Sequence, residues 1–173
     1  TNPSGIEGAR TTRLGEIGLV QKFFDGLGTL KVGKLDGVGE FGLQELGSTF
    51  LNVELSYVPN ITFASGMPFD PAGKLGIVLS LQSSGGFYVK GGLYASNDLD
   101  AYAHDYSGFR FDLRGPAVAG AEAGYRGCVG GLPGVYKVGV HYNYGDFHDL
   151  RTGAVVDGNH LVYLNASQTL LQL

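Results

Sequence analysis

Glycine and lysine stand at the spacing of a phosphate-binding loop near the start of the sequence. The stretch GTLKVGK, Gly28–Lys34, satisfies the pattern GxxxxGK, in which backbone N–H groups and a lysine hold nucleotide phosphates. Leu35 stands where that chemistry needs Ser or Thr to hold magnesium, and the stretch alternates like a strand instead of leading into a helix. Nucleotide binding at this position is therefore not predicted.

Other residue types that could bind a metal or act in catalysis lack the spacing that such sites require. The single Cys128 excludes an intrachain disulfide and a cysteine-based zinc site. The sequence contains neither G-x-S-x-G nor H-E-x-x-H, and no carboxylate pair can be placed at the ~5–10 Å separation of two-carboxylate hydrolysis. No zinc-ligand spacing relates the four histidines, which are His104, His141, His148 and His160. We therefore predict no enzymatic activity, no metal site and no cofactor.

A set of polar residues remains, and its members occupy the polar positions of the alternating strand patterns, which would place them on one face of a sheet. They are Glu16, Lys22, Lys31, Lys90, Glu122, Arg126, Lys137, His141 and Asn143. Carboxylate and ammonium groups of both signs exchange hydrogen bonds with hydroxyls, and the nearby rings of Tyr88 and Tyr94 can stack on sugar C–H faces. The combination favours neutral, hydroxyl-rich solutes. We predict solute contacts at Lys31, Lys90, Glu122, Arg126, Lys137 and His141.

Strands, and not helices, must position these side chains. Glycine accounts for 30 of 173 residues, and each interior glycine costs a helix about 1 kcal/mol relative to alanine. Most of the predicted strands alternate between apolar and polar residues, which indicates one face in each environment. The predicted strands are 14–24, 27–35, 75–82, 86–95, 117–126, 135–145 and 160–172.

Alternation does not identify the solvent that meets each face. In the strand 135–145, Tyr136, Val138 and Val140 share one parity and oppose Lys137 and His141. The apolar parity would be the core of a soluble sandwich or the lipid-facing side of a barrel.

Connection lengths favour the barrel. The links 25–26, 83–85 and 127–134 are short, whereas 36–74, 96–116 and 146–159 are long, and the two kinds strictly alternate. Outer-membrane barrels place short turns at one rim and long loops at the other. We predict an all-β fold, an antiparallel up-and-down transmembrane β-barrel represented by an incomplete wall of about seven or eight strands, in the bacterial outer membrane. The long link 36–74 is interpreted as a folded-in loop, with an ordinary extra strand as the alternative.

The charge and hydropathy of the chain exclude other classes. A net charge of −4 and a pI near 5.4 provide no basic surface for nucleic acid. No apolar run reaches the ~18 residues that a spanning helix needs. Both ends stop abruptly, so we expect residues 1–173 to be a single partial barrel domain from a longer protein. We expect that this partial domain does not form a pore by itself.

Several stretches together resemble the carbohydrate-selective outer-membrane porins of the OprB family. They are FFDGLGTLKVGKLD (23–36), EFGLQELGSTFLN (40–52), GLPGVYKVGVHYNYGDFHDLRTG (131–153) and GNHLVYLNASQTLLQ (158–172). The resemblance extends over nearly the whole chain from about Arg13.

This resemblance implies a barrel of about sixteen strands, passive uptake of sugars such as glucose, and a constriction formed partly by inward-folded loop residues. Carried over position by position, it places Lys34, Asp36, Glu40 and Asn52 near that constriction. The implied partners are small sugars, bound weakly, and outer-membrane lipid, with a homo-oligomer of the full-length protein as a further possibility. Two alternatives remain: a general outer-membrane porin or other barrel, and a soluble secreted β-sandwich that binds carbohydrate.

Overall fold

The computed structural model describes residues 13–44, 47, 61, 65–69, 72–96, 107–113 and 115–171. Within these residues the fold is almost entirely strand, in agreement with the prediction of an all-β chain. The strands are β1 (Ile17–Phe23), β2 (Gly28–Leu35), β3 (Lys74–Gln82), β4 (Phe87–Ala95), β5 (Ala117–Val129), β6 (Leu132–His148) and β7 (Val155–Gln168). A 3-10 helix (Phe24–Gly26) lies between β1 and β2, and a short α-helix, α1 (Gly37–Glu40), follows β2.

The seven strands form one antiparallel sheet in the order β1-β2-β3-β4-β5-β6-β7. Each strand pairs with its sequence neighbours, as in an up-and-down barrel. Among the described residues β1 and β7 do not pair with each other, so the sheet is an open wall. The prediction of an incomplete antiparallel barrel wall is confirmed.

The two faces of this sheet differ in chemistry because side chains alternate along every strand. One face, the apolar face, carries exposed aliphatic side chains from all parts of the sheet; Leu19 is 81% exposed and Leu164 is 82% exposed. The opposite face, the polar face, carries most of the charged residues of the strands. The register aligns Lys90 with both Ser80 and Glu122 across β3, β4 and β5.

Tight turns join the strands at one end of the sheet. β5 and β6 continue beyond the predicted bounds and meet at Gly130 and Gly131, whose φ angles are +61° and +81°. A two-residue hairpin turn of type I′ requires positive φ at both positions, which glycine adopts without steric cost.

At the other end of the sheet, one predicted link is wrong. The expected long connection 146–159 is a turn over residues 149–154, because β6 continues to His148 and β7 begins at Val155. The Asp149 side chain accepts hydrogen bonds from the backbone N–H groups of Arg151, at 2.7 Å, and Thr152, at 3.4 Å. These bonds stabilise the carboxylate and hold the pKa of Asp149 below its usual value.

Parts of the predicted loop 36–74 cover the polar face. Asp36 caps α1, with its side chain accepting from the backbone N–H of Val38 at 3.0 Å. After α1, the fully buried side chains of Phe41, Ile61 and Met67 pack into one cluster with residues of the sheet, which include Val78, Tyr94, Val118 and Tyr163. The hydrophobic core of the described chain therefore lies between the sheet and this segment.

Glycines on the polar face make room for rings. A Cβ atom at Gly92 would lie 3.0 Å from a ring carbon of Phe41, and one at Gly139 would lie 2.2 Å from Cζ of Tyr163. A larger residue at either position would displace the ring. The high glycine content thus has a packing role beyond the turns.

None of the helices among the described residues has the length and apolar character needed to cross a membrane.

Candidate functional site

A polar recess of about 280 Å³ opens on the polar face beside the segment that follows β2. The wall side is formed by β2, β3, β4, β5 and β6, and the opposite side by Gly39, Glu40 and Leu43. The side chains that give the recess its hydrogen-bonding capacity include Thr29, Glu40, Ser80, Gln82, Tyr88 and Arg126.

Glu122 lies at the base of this recess and is only 2% exposed. Its Oε1 accepts a hydrogen bond from the Tyr88 hydroxyl at 2.9 Å and pairs with the Lys90 ammonium at 3.2 Å. Its Oε2 accepts from the Tyr163 hydroxyl at 2.5 Å and from the backbone N–H of Gly42 at 3.0 Å. An ionised carboxylate has about four acceptor positions, so these four donors use its full capacity.

Three lysines of the polar face contact the same segment. Lys31 of β2 forms an ion pair with Glu40. Lys90 of β4 donates to the backbone carbonyl of Glu40, and Lys137 of β6 donates to the backbone carbonyl of Leu43. These three lysines, which were predicted to contact solute, therefore also hold the residues around Glu40 and Leu43 against the sheet.

Arg126 lies at the outer part of the recess. Its guanidinium lies over the ring of Tyr88, 5.6 Å from the centroid, and the residue is exposed. A guanidinium over an aromatic face is held by a cation–π attraction. Arg126 and Tyr88 thus form a cation–π pair at the recess, and the Lys90 ammonium also lies over the Tyr88 ring, 5.9 Å from its centroid.

His141 has a different environment from the other predicted residues. Its side chain is fully buried, and its ring centroid lies 5.5 Å from those of both Phe41 and Tyr163. Within the described part of the chain neither ring nitrogen has a hydrogen-bond partner. His141 therefore lies between the sheet and the segment that follows β2, and not in the recess.

The structure does not bring the residues carried over from the family resemblance together in one place. Glu40 lines the recess, and Asp36 lies one turn earlier, where its backbone N–H donates to Glu16 at 2.5 Å. Lys34 pairs in register with Ile17 and Leu75 on the apolar face, and it donates to the backbone carbonyl of Gly108. The structure therefore does not bring Lys34 to the recess. Asn52 lies outside the described residues.

Two groups that organise the site, Tyr163 and Phe41, were not among the residues predicted from the sequence. Tyr163 of β7 was not singled out, although its hydroxyl contacts Glu122. Its alternation with the exposed residues Val162 and Leu164 was a usable signal, since it places Tyr163 on the polar face. Phe41, which packs on that face from the segment, could not be paired with the sheet from local pattern because its contacts are distant in sequence.

The arrangement can bind and orient a solute by hydrogen bonding. Carboxylate, ammonium, guanidinium, amide and hydroxyl groups converge on one recess, which matches the mixed donor and acceptor capacity of a polyhydroxyl molecule. Among the described residues no group of three or more His, Cys, Asp or Glu side chains could hold a metal ion.

Comparison with known proteins gives a consistent assignment. The chain matches the family described as "Carbohydrate-selective porin, OprB family" over residues 1–171. Its fold is similar to that of a solved Pseudomonas putida OprB at high pH, with a TM-score of 0.78 and 22% sequence identity. This match covers 92% of the present chain and 41% of the P. putida chain, so the chain spans less than half the length of that relative. No curated protein matches the chain.

Proposed function

Since the chain belongs to the OprB family of carbohydrate-selective porins, we propose that it contributes the wall of a channel through which sugars such as glucose diffuse passively across the bacterial outer membrane. The family is one of channels and not of enzymes. In this proposal the polar face borders the water-filled passage and the apolar face contacts lipid.

The opposed chemistry of the two faces carries this proposal. A contiguous set of exposed leucines and valines is a liability in water but is suited to hydrocarbon. Charged residues on a lipid-facing surface would instead cost about 2–4 kcal/mol each near the membrane midplane. We infer that the face with Lys90 lies on the side of the passage and the face with Val138 and Leu164 lies toward lipid. Lys34, a charged residue on the apolar face, is only 2% exposed and donates to the backbone carbonyl of Gly108.

The recess supports a sugar as the solute. Glu40 carries acceptors and Arg126 carries donors for sugar hydroxyl groups, and both line the recess with the hydroxyl groups of Thr29 and Ser80. Both signs of charge are present, so neither anions nor cations gain a consistent advantage. Binding must remain weak, because a channel site has to release its solute.

Proteoliposome swelling tests the proposal with matched solutes. Vesicles that contain the full-length protein should swell faster in glucose than in gluconate, a singly charged sugar acid of the same size, because the recess suits neutral hydroxyl groups. Empty vesicles are the control for leakage. Equal rates for the two solutes would favour a general porin, and an absence of swelling in both would contradict a channel.

A further inference from the structure

Three charged side chains from adjacent strands hold the backbone of Glu40–Leu43 against the sheet. Lys90 of β4 donates to the carbonyl of Glu40, Glu122 of β5 accepts from the N–H of Gly42, and Lys137 of β6 donates to the carbonyl of Leu43. We call Lys90, Glu122 and Lys137 the clamp. Its members are contributed by consecutive strands, so the clamp depends on the pairing of β4, β5 and β6.

Glu122 is the central member because it links the other elements of the clamp. It is paired with Lys90 through Oε1 and bonded to Gly42 through Oε2, while hydroxyl groups of Tyr88 and Tyr163 occupy its remaining acceptor positions. A carboxylate with four donors and 2% exposure has no free oxygen position for a passing solute. Its role is therefore different from that of a solute-binding residue.

The clamped segment is also one side of the recess. Gly39, Glu40 and Leu43 line it opposite the sheet. Between the clamped atoms, Phe41 is fully buried, with its ring 5.5 Å from His141 and 6.3 Å from Tyr94. A shift of Glu40–Leu43 away from the sheet would therefore have two effects at once. It would remove one side of the recess, and it would expose the apolar cluster around Phe41 to solvent.

We propose that Glu122 is a positioning residue that fixes Glu40–Leu43 on the sheet and thereby sets the width and the sugar selectivity of the passage. This inference rests on the proposed function, in which the polar face borders the passage. The segment forms one side of the recess only while the clamp is closed, so the sugar contacts of Glu40 depend on a residue that does not itself touch sugar.

The variant Glu122→Gln tests this role. Glutamine keeps the shape of the side chain but removes the charge that pairs with Lys90, and its amide nitrogen cannot accept from Tyr163 or Gly42. The loss of a hydrogen bond to a charged group shifts an equilibrium by roughly tenfold or more. In planar bilayers, single channels of the variant should show larger and noisier currents, and glucose should block them only at concentrations roughly tenfold above wild type, by the same scale.

Two further variants separate positioning from a change in pore charge. The double variant Glu122→Gln with Lys90→Gln leaves the net charge unchanged and should still release the segment, whereas a purely electrostatic effect would be restored to wild type. Asp157→Asn removes one negative charge at an exposed position on β7 and should leave both currents and block unchanged.

The outcomes distinguish this inference from the proposed function. A wild-type channel that glucose blocks, together with a Glu122→Gln channel identical to it, overturns the positioning role alone. A wild-type channel that glucose does not block contradicts the proposed function, while a rise in current noise in Glu122→Gln would still support the clamp. If Glu122→Gln does not fold, Tyr163→Phe removes one donor to Glu122 and retains the charge; it should change the noise in the same direction, and wild-type behaviour would overturn the inference.

Discussion

Replacing Leu79 with arginine should strongly reduce assembly of the protein in the membrane. Leu79 lies on the apolar face of β3 and is 43% exposed. A lipid-facing arginine destabilises an outer-membrane barrel by about 2–4 kcal/mol near the midplane. We expect a corresponding loss of unfolding free energy, measured by urea denaturation in phospholipid vesicles, and a lower yield of the folded form in heat-dependent gel mobility.

The neighbouring residue provides a matched control for this substitution. Ser80 lies on the polar face of the same strand and lines the recess. An arginine at Ser80 meets water, so folding should stay near the wild-type level. If Leu79→Arg folds as well as Ser80→Arg, or if the order is reversed, the assignment of the two faces is wrong.

Replacing Phe41 with alanine should have the second large effect, on the channel and not on the sheet. Phe41 is fully buried between Tyr94 and His141, and removal of a buried phenylalanine side chain costs about 3–5 kcal/mol. That loss falls on the contact between segment and sheet, because the strands pair through their own backbone hydrogen bonds. We expect single-channel conductance to rise and block by glucose to weaken, while heat-dependent gel mobility stays normal.

Leu43→Ala is the matched control in the same segment. The Leu43 side chain lines the recess but is 40% exposed, so its removal should loosen the segment far less and raise conductance less than removal of Phe41. Equal behaviour of Phe41→Ala and Leu43→Ala would show that burial of Phe41 does not hold the segment. Loss of the folded form in Phe41→Ala would show instead that the sheet depends on this contact.

The strands could be predicted from the sequence because their determinants are local. The alternation in KLGIVLSLQ placed a strand at 75–82, and the structure has it at Lys74–Gln82. The link 146–159 was harder, because β6 and β7 continue past the clear alternation and pair as far as His148 with Val155. Strand ends that depend on a partner 7 residues away across a turn leave little signal in either strand alone.

The candidate site was predictable in its residue types and not in its contacts. Parity placed Lys90, Glu122 and Lys137 on one face, where the structure has them. Their bonds to Glu40, Gly42 and Leu43 join residues 50 to 94 positions apart, and no local pattern encodes such a pairing. Lys34 shows the converse difficulty: the family resemblance suggested a place near the constriction, whereas the strand register places Lys34 on the apolar face.

Thiol labelling on β2 tests the central claim most directly, because it reports which face meets the sugar-containing water. In protein that carries Cys128→Ser, single cysteines are introduced by Thr29→Cys, in the recess, and by Val32→Cys, on the apolar face. A charged, membrane-impermeant thiol reagent applied to the protein in intact vesicles should modify the cysteine at 29, more slowly in concentrated glucose, and should leave the one at 32 unmodified until detergent is added. Modification at 32 but not at 29, or labelling at 29 that glucose does not slow, would contradict a sugar passage along the polar face.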